Sequence, residues 1–224
     1  MSLGVNQLIG FGAGGAVTPA SVTLTDNSVD SVNRTAYTFS SQSLGAAAAN
    51  RKIIVVIFSA GVTGGRTLNS VTVAGSSASK LVGISSGEKI NEIWVLDLAS
   101  GTTGDVVVTY SASKGQCGIG VYRLLTGATA AHATASVVAT GPSTTLDVPA
   151  SGIAILGTGY DSGATTAVTL TGVTEVYDEE IESGIHQTGG LVALPGGETG
   201  RTMASVGTAS SAGSATLVCA SYGP

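Results

Sequence analysis

The 224-residue chain predicts an all-β fold: an antiparallel β-sandwich, jelly-roll-like or immunoglobulin-like, with almost no helix. Three observations lead there. Short apolar or alternating segments recur with turn signals roughly every 8–12 residues, the rhythm of a sandwich or barrel. No stretch carries the 3.6-residue apolar period of an amphipathic helix. The chain holds 33 Gly and only 10% charged residues, against roughly 25% in an ordinary soluble domain. Its solvated surface must therefore be built from Ser, Thr and Gly, which suits close-packed β-structure and protein–protein assembly.

Residues 1–20 read as an extended arm, apolar at Leu8, Ile9 and Phe11 and then Gly-rich. Docking of these three side chains on a neighbouring subunit is one reading; packing on the chain's own domain, or fraying, is the other. Val22–Leu24 alternates and is expected to stop at Asp26–Asn27. Thr35–Phe39 places Tyr37 and Phe39 on one face. Gly45–Ala49 leans to helix but is too short to hold one. Ile53–Phe58 is continuously apolar, as for a strand buried on both faces. Leu68–Val73 alternates, Leu81–Ile84 is a short strand, and Glu92–Leu98 places Trp94, Leu96 and Leu98 together. Asp105–Tyr110 aligns Val106, Val108 and Tyr110.

In Gln116–Leu125, alternation puts Cys117, Ile119 and Val121 on one face and Gly118, Gly120 and Tyr122 on the other. Two alternate glycines leave a groove that calls for close approach by a backbone or a ring. Ala130–Thr140 reads as an edge strand and Gly152–Leu156 as a second buried one. Further strands fall at 167–170, 173–176, 185–194, 201–208 and 215–222.

Ile53 and Ile153, and Tyr122 and Tyr222, echo each other at a spacing of 100. Chance likeness between β-strands is preferred to duplication as the cause. On either reading the halves, 21–127 and 128–224, are expected to interleave in a single sandwich domain, 21–224.

The net charge of −5 and pI of about 4.8 argue against nucleic acid, whose phosphates call for clustered Lys and Arg. The first basic residue is Arg34, so no charged region of a secretory signal is present. No apolar run reaches the roughly 18 residues of a membrane span. Cys117 and Cys219 are expected as thiols made in a reducing cytoplasm. A disulfide between them needs Cα atoms within about 7 Å.

Gly10–Gly15 satisfies G-x-G-x-x-G, but no strand precedes it and no helix follows, so a dinucleotide site is not expected. His132 and His186 lie in no metal-ligand spacing, and no C-x-x-C occurs. A Ser-His-Asp set is assembled by the fold and not by spacing, and both histidines read as polar loop or strand positions. Asp178, Glu179, Glu180 and Glu182 form the acidic cluster; a Ca²⁺ site or paired carboxylates is one reading, a solvated acidic loop the preferred one. No catalytic set, cofactor or metal is expected.

Several segments together resemble a family of β-sandwich structural proteins of tailed bacteriophages, prophages and gene transfer agents. They are Leu8–Gly12, Tyr37–Phe39, Asn50–Val56, Arg66–Val73, Gly104–Thr109, Cys117–Tyr122 and Ala220–Pro224. The resemblance spans nearly the whole chain as a scattered strand pattern. It implies a non-enzymatic virion component, decorating the capsid or forming a head or tail fibre element, assembled in the bacterial cytoplasm. Its partners would be other virion proteins and copies of itself, with neither nucleic acid nor membrane. The alternative is a carbohydrate- or host-receptor-binding module using loops 61–66, 85–91 and 178–184 against a host surface glycan.

Overall fold

The structure, a computed structural model, describes residues 17–62, 65–161, 163, 165–208 and 215–224. These form strands and no helix. The first half contributes β1 (Ser21–Asp30), β2 (Arg34–Ser43), β3 (Arg51–Ala60), β4 (Leu68–Val73), β5 (Ser76–Ser77), β6 (Ser79–Ser86), β7 (Lys89–Asp97), β8 (Thr103–Lys114) and β9 (Gln116–Leu125). The second contributes β10 (Ala133–Ala139), β11 (Ser143–Val148), β12 (Gly152–Asp161), β13 (Val168–Thr171), β14 (Thr174–Glu182), β15 (Ile185–Leu194), β16 (Glu198–Gly207) and β17 (Ala215–Tyr222). The segment Leu68–Val73 and the segment Ile185–Leu194 match their expected strands, and Trp94, Leu96, Val106, Val108, Tyr110, Tyr37 and Phe39 share one core as alternation requires.

The strands make four antiparallel sheets. The first inner sheet runs β1-β9-β3-β7-β6 and the first outer sheet β2-β8-β4-β5; the second inner sheet runs β10-β17-β12-β15-β14 and the second outer sheet β11-β16-β13. No sheet mixes strands from the two halves, so the expected interleaving is absent from the strand pairing. Each half instead packs its own outer sheet on its own inner sheet.

The two halves share one topology. Substituting β10, β11, β12, β13, β14, β15, β16 and β17 for β1, β2, β3, β4, β6, β7, β8 and β9 converts one pair of sheets into the other, and β5 alone has no counterpart. Duplication therefore explains the echo better than chance. The matched residues differ slightly from a uniform spacing. Ile54 stands opposite Tyr122 and Val95, and Ile153 stands opposite Tyr222 and Ala193. Ile54, not Ile53, is thus the counterpart of Ile153, since a one-residue slip would turn every side chain to the other face.

Alternation along the central strands builds three cores. Ile53, Val55 and Ile57 of β3 face Tyr37, Val71, Val108 and Tyr110 of the first outer sheet. Ile54 and Val56 face Ile153, Ile155, Val218 and Tyr222 of the second inner sheet. Ala154, Leu156, Leu217 and Cys219 face Leu146 and Met203 of the second outer sheet. The layers thus stack as outer, inner, inner, outer. Burial on both faces is why Ile53–Phe58 needs no polar alternation.

The contact between the inner sheets is reciprocal. β6 lies against β10 and β1 against β14; β7 lies against β17 and β9 against β15; β3 meets its own counterpart β12. Each of these contacts has a partner with the halves exchanged, as in an isologous two-fold dimer, while β1 also reaches β12 and β15. Here both members belong to one chain, joined through residues 126–132.

Glycines let these sheets approach. A Cβ on Gly120 would lie 2.5 Å from the Tyr177 hydroxyl, and one on Gly118 would lie 2.1 Å from Gln187 Oε1. The groove expected on that face of β9 is therefore filled by a ring and an amide from the other half. In the opposite direction Val56 Cγ1 reaches to 2.2 Å of a Cβ on Gly157, and the Phe58 ring to 1.9 Å of one on Gly159. Each inner sheet also sends one buried amide across. Asn91 Nδ2 on β7 donates to the carbonyls of Gly157 (3.2 Å) and Thr216 (3.0 Å). Gln187 Nε2 on β15 donates to the carbonyl of Val56 (3.1 Å).

Several boundaries differ from expectation. β1 does not stop at Asp26 but continues to Asp30 through a register shift between Leu24 and Asp26. The bulge lets Asp26 turn aside, where its carboxylate accepts from the Ser43 N–H at 2.7 Å. Arg51, at the start of β3, is 1% exposed. Its guanidinium donates to the carbonyls of Leu98 (2.6 Å), Gly45 (2.9 Å) and Ser100 (2.6 Å). A planar fork of donors suits this convergence of loop carbonyls.

Candidate functional site

The acidic segment is strand, not loop. β14 and β15 pair with register shifts at Glu175/Tyr177 and Glu180/Glu182. Alternation then sends neighbouring carboxylates to opposite faces. Asp178 points to the second outer sheet and is engaged three times: it accepts from Thr188 Oγ1 (2.7 Å) and the Val168 N–H (2.9 Å), and contacts His186 Nδ1 (3.1 Å). Glu179 points to the first half and accepts from Asn27 Nδ2 at 2.7 Å. Glu180 accepts from the Gly184 N–H (3.1 Å) and Glu182 from Gln116 Nε2 (3.0 Å). The four carboxylates do not converge on a cation. Among the described residues no group of three or more His, Cys, Asp and Glu is arranged to hold a metal.

His186 is 4% exposed and its Nε2 has no hydrogen-bond partner. A Ser-His-Asp set needs a hydroxyl at that nitrogen, so only the Asp178–His186 part of such a set is present. Nearby, Thr158 Oγ1 and Ser205 Oγ lie 2.9 Å apart, and Tyr160 OH lies 3.2 Å from Ser205 Oγ. These hydroxyls satisfy one another inside the second sandwich. His132 precedes β10, where its N–H donates to the Ser221 carbonyl at 2.8 Å.

Cys117 lies between the sheets of the first half and Cys219 between those of the second. Both are free and buried. Two inner sheets separate them, which answers the disulfide question. Burial pushes each thiol up to about 12, away from the thiolate that nucleophilic chemistry needs.

Two of the three segments considered for glycan binding, 85–91 and 178–184, are tighter than loops, while 61–66 lies partly outside the described residues. Residues 85–91 form the hairpin between β6 and β7, with Lys89, Ile90 and Asn91 buried. Residues 178–184 are the end of β14 and its turn. The Gly61 turn, the 85–91 hairpin and the β14–β15 turn gather at one end. Lys114 Nζ donates to the carbonyls of Gly61 and Glu88, and Gln116 joins Glu182 as above. Burial lowers the Lys114 ammonium to about 8, its largest opposing influence being the Glu88 carboxylate.

The outer faces carry few charges. On the first, Thr38 and Thr72 flank Val107, and Ala36 and Ser70 flank Thr109. On the second, Ser143 and Thr171 flank Ala204, Thr145 stands opposite Thr202, and Thr169 opposite Val206. One aspartate stands at the margin of each face, and each accepts a backbone N–H: Asp105 from Ser41 (2.8 Å) and Asp147 from Gly200 (2.7 Å). Val206 is 61% exposed.

The sheet edges are unequal. β1, β2, β6, β11 and β14 each carry at least one register shift and at least one charged residue. β13 has four residues; β5 has two, and β4 beside it is shifted between Leu68 and Ser70. Among the described edge strands of more than four residues, β10 alone pairs over its whole length, Ala133–Ala139, without a shift or a charge.

Leu8, Ile9 and Phe11, and the glycines at 10–15, lie outside the described residues. The described chain begins at Val17, which with Pro19, Asn50, Leu125, Gly127 and Pro224 lines a cleft of about 570 Å³. Among the described residues no helix is long and apolar enough to cross a membrane. No family model, curated protein or solved structure matches this chain.

Proposed function

We propose that this chain is a non-enzymatic structural component of a bacteriophage virion, decorating the capsid or forming a head or tail fibre element. The observation that carries the assembly part of this reading is the pair of outer faces. Both are rich in Ser and Thr and uncharged at their centres, and they stand at opposite ends of the four-layer stack. Neutral surfaces associate without desolvating charge. The virion assignment rests on the resemblance of the strand segments. Leu8, Ile9 and Phe11 are the proposed anchors of the N-terminal arm on a neighbouring subunit, and the partners are other virion proteins and further copies of the chain. Labelled antibody against the chain, applied to purified particles, should decorate them at regular positions. Particles that never carry the label, from cells that express the chain, would reject the proposal.

A second reading is a module for host-surface glycan or receptor. The convergence of the turns at 61, 87–88 and 183–184 on one end of the stack favours it. The isolated protein should then be retained on host cells or their polysaccharide, and Glu88→Ala with Glu182→Ala should release it. Retention unchanged in that variant would reject this end as the binding surface.

A further inference from the structure

We propose that β10 is a homodimerisation edge, pairing antiparallel with β10 of a second copy so that two second inner sheets fuse across a two-fold axis. An edge strand exposes a row of backbone N–H and C=O groups, and proteins blunt such edges with bulges, charges, proline or shortness. Every other sheet edge of the described residues shows at least one of these devices. β10, Ala133-Thr-Ala-Ser-Val-Val-Ala139, shows none of them. Its surroundings continue the pattern: from Leu124 to Leu146 the sequence contains no Asp, Glu, Lys or Arg. Most of the strand is half-buried, with Thr134 exposed, so its free side is reachable.

Neutrality selects a second copy as the occupant. In a symmetric pair each residue meets its own kind or a close neighbour, so a charged edge would oppose itself. β14 paired with itself would bring Glu and Asp against Glu and Asp, and like charges directly opposite are destabilising. β10 has no such conflict. Facing also fixes the centre. Opposed residues must point to the same side of the sheet, so the axis passes through a residue, and Ser136 is the middle one. Ala135 then meets Val137 of the second copy, Thr134 meets Val138, and Ala133 meets Ala139. Ala133, Ala135 and Val137 already pack on the core between the second inner and outer sheets, so that core would continue across the junction. The pairing follows from the strand alone and is independent of the virion reading.

The test is the mass of the full chain in solution. Sedimentation should give a dimer of twice 21.8 kDa. Ser136→Asp sets two carboxylates against each other on the axis; it should give a folded monomer with an unchanged far-ultraviolet circular dichroism spectrum and a melting temperature that no longer depends on protein concentration. Ser136→Cys should cross-link under mild oxidation, since directly opposed strand residues fall within the Cα span of a disulfide. Thr134→Cys, whose opposite is Val138, should cross-link far more slowly. A wild-type monomer at all concentrations overturns the proposal. So does a dimer that survives Ser136→Asp while Ser136→Cys fails to cross-link. A dimer abolished by removing residues 1–16 and unaffected by the Ser136 changes would make the arm the contact and overturn it as well.

Discussion

The ring of Phe58 occupies the space that a side chain at Gly159 would need: a Cβ there would lie 1.9 Å from Phe58 Cδ2. The pair sits where β3 crosses its counterpart β12. Gly159→Ala must therefore push the two halves apart or turn the ring off its rotamer. The expected cost is about 1–3 kcal/mol, the usual range for overpacking. Gly196→Ala, which meets nothing within 4 Å, should change stability by less than about 0.5 kcal/mol. Urea denaturation of both measures the difference. In a double-mutant cycle, Phe58→Leu should recover part of the Gly159→Ala loss.

Asp178 and Glu179 are sequence neighbours with opposite surroundings. Asp178→Ala leaves the Val168 N–H, Thr188 Oγ1 and His186 without their acceptor, at about 1–3 kcal/mol for each buried group stranded. Glu179→Ala removes one half-buried bond to Asn27, and its expected cost is about 1 kcal/mol or less. Thermal melts of the two single variants should separate clearly. Equal losses would count against the alternation that divides them.

Lys114 predicts an alkaline rise in stability. Its folded value is about 8 against an ordinary 10.5, so between these the unfolded chain binds more protons. Unfolding free energy then rises with pH across that window. The buried thiols act oppositely. Their folded values of about 12 against an ordinary 9.0 make stability fall as pH climbs above 9. Between pH 7 and 9 the Lys114 contribution should dominate, and Lys114→Met should flatten the slope measured by denaturant titration.

The same thiols should be silent to chemistry. Cys117 and Cys219 are expected to resist a disulfide reagent at pH 8 in the native protein and to titrate fully, as two free thiols, in denaturant. Oxidant should not join them within one chain, because each lies on the far side of its own inner sheet.

Much of this architecture was legible in the residues, and the illegible part has a physical cause. The Gly118/Gly120 groove announced a close neighbour because alternate glycines leave one face empty whatever fills it. Trp94 and Leu96 announced their face by period alone. Partnership is different. A strand's pattern records which side is apolar but not which strand lies beside it, so Ile53–Phe58 and Gly152–Leu156 gave no sign that they belong to separate sheets. The spacing of 100 misled by one residue at Ile53, because the two halves place Ile54 and Ile153 in register. Tyr177–Glu182 looked like a loop because its charges hide an alternation in which Tyr177 and Ile181 point into the other half. His186 and Asp178 are eight positions apart on adjacent strands, and only the β14–β15 turn brings them together.

The tie through residues 126–132 also changes what the contact between the inner sheets must achieve. Two separate chains meeting through such a surface would have to overcome lost translational and rotational freedom. Here the second half arrives at an effective concentration set by a short tether, on the millimolar scale or above. A surface that would be weak between separate molecules is then saturated within one. This gives room for groups a free-standing dimer would select against: Asn91 Oδ1 and Gln187 Oε1 are both buried without a partner. It also makes docking of the halves independent of dilution, so that only association between whole molecules should respond to concentration.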